Sequence, residues 1–175
     1  ARARLVDGDW TVKKRRVLAS GKMVSEIGLG CMSFGGFYGA TTEAESHATL
    51  AAALDHGIDF LDTANVYGLG ISETVMGTFL RGNASQFTIA TKAGIWRDKE
   101  HGNRGFNNRP DHLRGELEGS LRRLGIDHVD LFYVHRRDRE IEIEDVMETL
   151  LSLEAEGKIG GIGFSEIAPS SLRRA

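Results

Sequence analysis

Apolar runs in this sequence end on residues of reactive type: Asp62, Lys92, His135 and Ser165, with Tyr67 five positions past Asp62. A strand buried on both faces should read as continuously apolar, so an ionisable group at each C-terminal end is informative. In an α/β barrel, strand ends of this kind build the active site. Taken singly, each residue has a plainer reading: an Asp that caps a turn, a Tyr packed on a surface, a solvated Lys, a structural His. Four in register, joined by Tyr67, favour chemistry. A tyrosine hydroxyl with an ordinary pKa near 10 is a poor proton donor at neutral pH. A nearby ammonium such as Lys92 favours the phenolate. Asp62 can pair with Lys92 and keep it charged and oriented. His135 can donate to a substrate oxygen or adjust the tyrosine proton. Such a set polarises a carbonyl and protonates its oxygen once a hydride arrives. No side chain donates hydride, so the chemistry requires a nicotinamide cofactor.

The elements that must position these residues are legible in order. Residues 16–18 and 23–25 read as a β-hairpin around a turn containing Gly21, followed by a core strand at 26–30 and a loop at 31–34. Thr42 and Glu45 form a capping-box pattern, Leu50, Ala53 and Leu54 recur at helical spacing, and Gly57 stops the helix. Residues 58–61 are the strand before Asp62. A helix over 72–80 presents Val75, Met76 and Phe79 on one face. Residues 87–92 form a strand, and 93–109 a long loop carrying Trp96, His101 and Phe106. Pro110 opens a helix with Leu113, Leu117 and Leu121, which ends at Gly125. A strand at 129–135, a helix at 143–156, a strand at 160–165 and the start of a further helix complete the chain. Strand–helix alternation implies right-handed crossovers and a parallel sheet. The class is α/β, and five strands suit either a doubly wound sheet or a (β/α)8 TIM barrel.

Composition narrows the function. The chain has 175 residues, ordinary apolar content and a net charge of −3, which gives no indication of nucleic acid or an anionic membrane as partner. Cys31 is the single cysteine, so an internal disulfide framework is excluded and a reducing, cytoplasmic compartment is expected. No apolar run approaches a membrane span, and the first residues carry no apolar signal segment. The basic cluster Lys13-Lys14-Arg15-Arg16 falls at the end of a stretch, residues 1–15, read as a solvated extension before a single domain over 16–175.

The sequence resembles the aldo-keto reductase superfamily. The matching pieces are Gly28-Leu29-Gly30-Cys31-Met32, Asp62-Thr63-Ala64-Asn65-Val66-Tyr67-Gly68, Ala90-Thr91-Lys92, the stretch Leu121-Arg122-Arg123-Leu124-Gly125-Ile126-Asp127-His128-Val129-Asp130-Leu131, His135, and Gly157-Lys158-Ile159-Gly160-Gly161-Ile162-Gly163-Phe164-Ser165-Glu166. The resemblance implies a TIM barrel whose floor is closed by the N-terminal hairpin, present here through about the fifth βα unit. It implies Asp62, Tyr67, Lys92 and His135 as the catalytic tetrad, with Tyr67 as general acid, acting on a small-molecule carbonyl substrate. It implies NADPH in preference to NADH, with Cys31 and Met32 near the nicotinamide ribose, and Asp62, Ser165 and Glu166 also at the cofactor. Ser-Glu in place of the commoner Ser-Asn resembles bacterial and plant members. One departure stands out: the later strands that grip the cofactor phosphates in the family are not in this sequence, and no GxGxxG loop replaces them. The alternative reading is a non-catalytic regulatory or binding subunit, or an inactive truncated form. The arginines of loop 93–109 and of Arg136-Arg137-Asp138-Arg139 flank the expected pocket mouth, where solvated loop charge is the commoner explanation.

Overall fold

The computed structural model describes residues 12–16, 21–97 and 103–175. β1 (Lys14–Arg16) and β2 (Met23–Ser25) pair antiparallel. β3 (Gly28–Gly30) leads through a short 3-10 turn to α1 (Glu43–Asp55). β4 (Phe60–Asp62) precedes α2 (Ile71–Leu80), and β5 (Thr88–Ala93) follows. β6 (Ile95–Arg97) and β7 (Arg104–Phe106) pair antiparallel before α3 (Pro110–Leu124). β8 (Leu131–Val134), α4 (Ile143–Ala155), β9 (Ile162–Phe164) and α5 (Pro169–Arg174) complete the chain.

Five strands form one parallel sheet in the order β3-β4-β5-β8-β9. Spatial order equals sequence order. A doubly wound sheet reverses its strand order at a switch point; this sheet does not, and it progresses as successive strands of a barrel do. The arrangement is α/β of partial TIM-barrel type, and all five strands point their carboxyl ends the same way.

Local signals explain the elements. Thr42 Oγ1 accepts from the Glu45 N–H at 3.2 Å, and the Thr42 N–H donates to Glu45 Oε2 at 2.8 Å, which completes the capping box of α1. Pro110 sits in the first turn of α3, where its missing N–H leaves no bond unmade. α3 and α4 bury Leu113, Leu117, Leu124, Val146, Leu150 and Leu153 against strands contributing Leu61, Ile89 and Phe132.

Two sequence expectations change. The hairpin begins at Lys14 rather than at residue 16, so Lys14 and Arg15 lie in a strand, exposed along its whole length. They are held there by ion pairs, Lys14 with Asp59 and Arg15 Nε with Glu26 Oε1 at 2.6 Å, that no local pattern announces. Val17 and Leu18, residues 1–11 and 98–102 lie outside the described residues. The second change is the pairing of β6 with β7, two three-residue strands within the segment expected to be a loop. Their apolar and aromatic residues, Ile95, Trp96 and Phe106, are strand formers, and Gly105 gives the Trp96 ring room across the ladder.

Candidate active site

Asp62 ends β4, Lys92 lies near the end of β5, and His135 directly follows β8. Cross-strand bonds fix these ends beside one another. The N–H of Thr63 donates to Ala90 O at 2.9 Å, that of Asn65 to Lys92 O at 3.1 Å, and that of His135 to Ala93 O at 2.7 Å. Tyr67 is placed by backbone contact rather than by a strand. It opens a 3-10 turn in which Gly68 and Leu69 take φ of 60° and 54°. This turn packs on the loop after β3 so closely that a Cβ at Gly35 would stand 2.6 Å from the Gly68 nitrogen. Only glycine fits there, and the contact fixes the approach of the tyrosine.

Lys92 is 7% exposed, and its ammonium has three acceptors: the Asp62 carboxylate, Thr63 O at 2.9 Å and the Tyr67 hydroxyl at 3.4 Å. Three N–H donors meet three acceptors, which satisfies the buried charge. The same nitrogen lies 5.1 Å from the Tyr67 ring centroid. The His135 ring stands edge-on to Tyr67, with centroids 5.8 Å apart and planes at 84°. Burial, then the charges of Lys92 and Arg136, pushes the His135 pKa down to about 4, so the imidazole is neutral near pH 7. Its Nδ1 is buried without a hydrogen-bond partner among the described residues. Tyr67 and His135 line one cavity of ≈ 440 Å³ together with Met32, Phe37, Leu69 and Ile95.

The remaining candidate residues divide. Met32 faces that cavity, whereas Cys31 is fully buried. The Cys31 N–H donates to Asp62 O at 2.8 Å and its carbonyl accepts from Ser72 Oγ at 2.8 Å, so it holds the loop in place. Burial, reinforced by the Asp62 charge, pushes its thiol up to about 12. Ser165 and Glu166 follow β9 and are joined by one guanidinium: Arg136 Nη1 donates to Ser165 Oγ at 3.0 Å and Nη2 to Glu166 Oε1 at 2.7 Å. Glu166 adopts a φ of 52°, uncommon for a residue with a side chain.

Sequence reasoning missed the groups that hold these loops. Asn108 is fully buried; its Nδ2 donates to Arg136 O at 3.1 Å, and its Oδ1 accepts from the Asp138 N–H at 2.7 Å. Glu73, also fully buried, accepts from Thr91 Oγ1 at 2.5 Å and from Arg123 Nε at 2.7 Å. A single charged residue in an otherwise uncharged helix, as Glu73 is in α2, is the one available signal. Asn108 has none.

Comparisons with known proteins agree with this architecture. The model of the aldo/keto reductase family matches residues 26–175. The NADP(+) aldo-keto reductase yakc of Schizosaccharomyces pombe is 40% identical over 154 residues, covering 87% of this chain and 45% of the relative. An aldo-keto reductase of Bacillus halodurans, solved in its holo form, superposes with a TM-score of 0.84 at 31% identity, over 93% of this chain and 53% of that one. One from Klebsiella pneumoniae in complex with NADPH gives a TM-score of 0.76 at 29% identity, over 93% and 52%. The chain thus spans about half the length of these relatives. With this sheet, these strand-end residues and a match over most of its length, the chain belongs to the aldo/keto reductase family.

Proposed function

We propose that this protein reduces aldehydes or ketones to alcohols with NADPH, and that Tyr67 is the proton donor, assisted by Lys92, Asp62 and His135. The observation that carries this reading is the Lys92 ammonium bonded to both the Asp62 carboxylate and the Tyr67 hydroxyl, beside a cavity that Tyr67 shares with a neutral His135. When bound, a reduced nicotinamide supplies hydride to the carbonyl carbon. The chain's own residues do the rest. Tyr67 donates its O–H to the carbonyl oxygen and gives up the proton as negative charge builds there. Lys92 stabilises the phenolate that results, and Asp62 with Thr63 O holds the ammonium in place. Neutral His135 keeps one N–H for the carbonyl oxygen, which orients the substrate against Tyr67.

The residues present suit the nicotinamide end of the cofactor. Ser165 accepts from Arg136, so its own O–H remains for the carboxamide oxygen, and Glu166 offers a carboxylate to the amide N–H₂. The family relative solved with NADPH supports the choice of cofactor. Absorbance at the reduced-nicotinamide band, followed with a panel of aldehydes, tests the proposal. Turnover by the wild type and its loss in Tyr67→Phe are expected; full turnover in Tyr67→Phe would remove the tyrosine from its role.

A further inference from the structure

The rim of the cavity carries a feature that carbonyl reduction alone does not use. Apolar side chains of Met32, Phe37, Val66, Leu69 and Ile95 wall the space, and among the described residues Arg97 is the one formally charged side chain lining it, since His135 is neutral near pH 7. The register of the neighbouring hairpin adds a second, independent observation. β6 and β7 oppose Arg97 directly to Arg104, and Ile95 to Phe106. Directly opposed residues of an antiparallel pair project to one face, and like charges so placed destabilise the pair. Among the described residues, neither arginine has an ion pair or hydrogen bond that relieves the repulsion. Elsewhere at this end of the sheet Lys92 is matched by Asp62 and Arg136 by Glu166. An anion set against two planar guanidinium forks would offset the repulsion and gain charge-assisted hydrogen bonds.

Building on the reductase reading, we infer that the substrate is an apolar aldehyde or ketone whose far end carries a carboxylate, held at the cavity rim by Arg97 with Arg104 beside it. The apolar wall takes the body of the molecule. The carbonyl faces Tyr67 and His135, and the carboxylate stays at the exposed rim, where it keeps part of its hydration. Arg97 and Arg104 then set specificity and leave the chemistry to the buried residues.

The test compares 4-carboxybenzaldehyde with its neutral counterpart 4-methylbenzaldehyde. Ligand-observed NMR measures the binding of each to the wild type, to Arg97→Gln/Arg104→Gln and to Tyr67→Phe, and NADPH oxidation is followed on the same proteins. The wild type should bind the carboxylate about tenfold more tightly, the scale of a partly exposed charge-assisted contact. The preference should shrink with added salt. It should vanish in the arginine double variant and persist in Tyr67→Phe. Equal affinity for both aldehydes in the wild type, or a preference that survives the double variant, would overturn the inference. A carboxylate preference without reduction would support the rim site and overturn the reductase reading alone. Reduction of both aldehydes without preference would do the reverse.

Discussion

Two sets of cations stand at the carboxyl end of the sheet, and their surroundings differ. Lys92 is buried, and each of its three protons has an acceptor within the fold. Arg97 and Arg104 are exposed, opposed to each other, and lack an acceptor among the described residues. A buried charge must be satisfied by the fold itself, because losing its partner leaves an uncompensated ion. An exposed charge is solvated at little cost and stays available to a ligand. The buried set is therefore suited to a fixed chemical task, and the rim set to choosing what reaches it.

The largest effect that would break this contrast is the loss of the Tyr67 hydroxyl. Tyr67→Phe should lower kcat by about 10³-fold, the usual range for removing a positioned general acid, and leave the melting temperature nearly unchanged. Lys92→Met should lower kcat by about 10²-fold or more. It should also destabilise the fold by about 1 kcal/mol, since Asp62 loses its partner but is exposed enough to be solvated; denaturant unfolding measures this. A smaller effect concerns pH. The His135 pKa lies at about 4 in the folded chain, below its ordinary 6.5. The unfolded chain then binds more protons between these values, so stability falls as pH drops from 6.5 towards 4 and levels off below that. The loss should be at most about 3 kcal/mol and absent in His135→Gln. Gly35→Ala should push the Tyr67 turn outward and cost about tenfold in kcat/KM, the scale expected from a misplacement under 1 Å. The smallest effect belongs to Arg136→Met. It frees Ser165 and Glu166 and should weaken NADPH binding severalfold, as read by fluorescence titration, with kcat little changed.

How much of this was legible in the sequence follows from the range of each interaction. The capping box of α1 spans three residues, and the stops at Gly57, Gly125 and Gly157 depend on a single φ of 73°, 68° and 73°. Such local rules are carried in the sequence itself. So are the strand-end residues, because apolar runs reveal where each strand stops. The start of β1 was misplaced because its partners, Asp59 and Glu26, lie 45 and 11 residues away. The tie from Asn108 to Asp138 spans 30 residues and has no periodic signature. The β6–β7 hairpin was hidden because each strand has only three residues, too few to show alternation. Family resemblance supplied the roles of the tetrad. The three acceptors of Lys92 and the opposed arginines required the fold.

The central claim is that Lys92 and Tyr67 act as one unit, and a double-mutant cycle tests it most directly. Steady-state kcat/KM for one aldehyde would be measured for the wild type, Tyr67→Phe, Lys92→Met and the double variant. If the ammonium works through the tyrosine, the double variant should be no worse than Tyr67→Phe alone. Fully additive losses would mean that the two residues act separately, and would contradict the account.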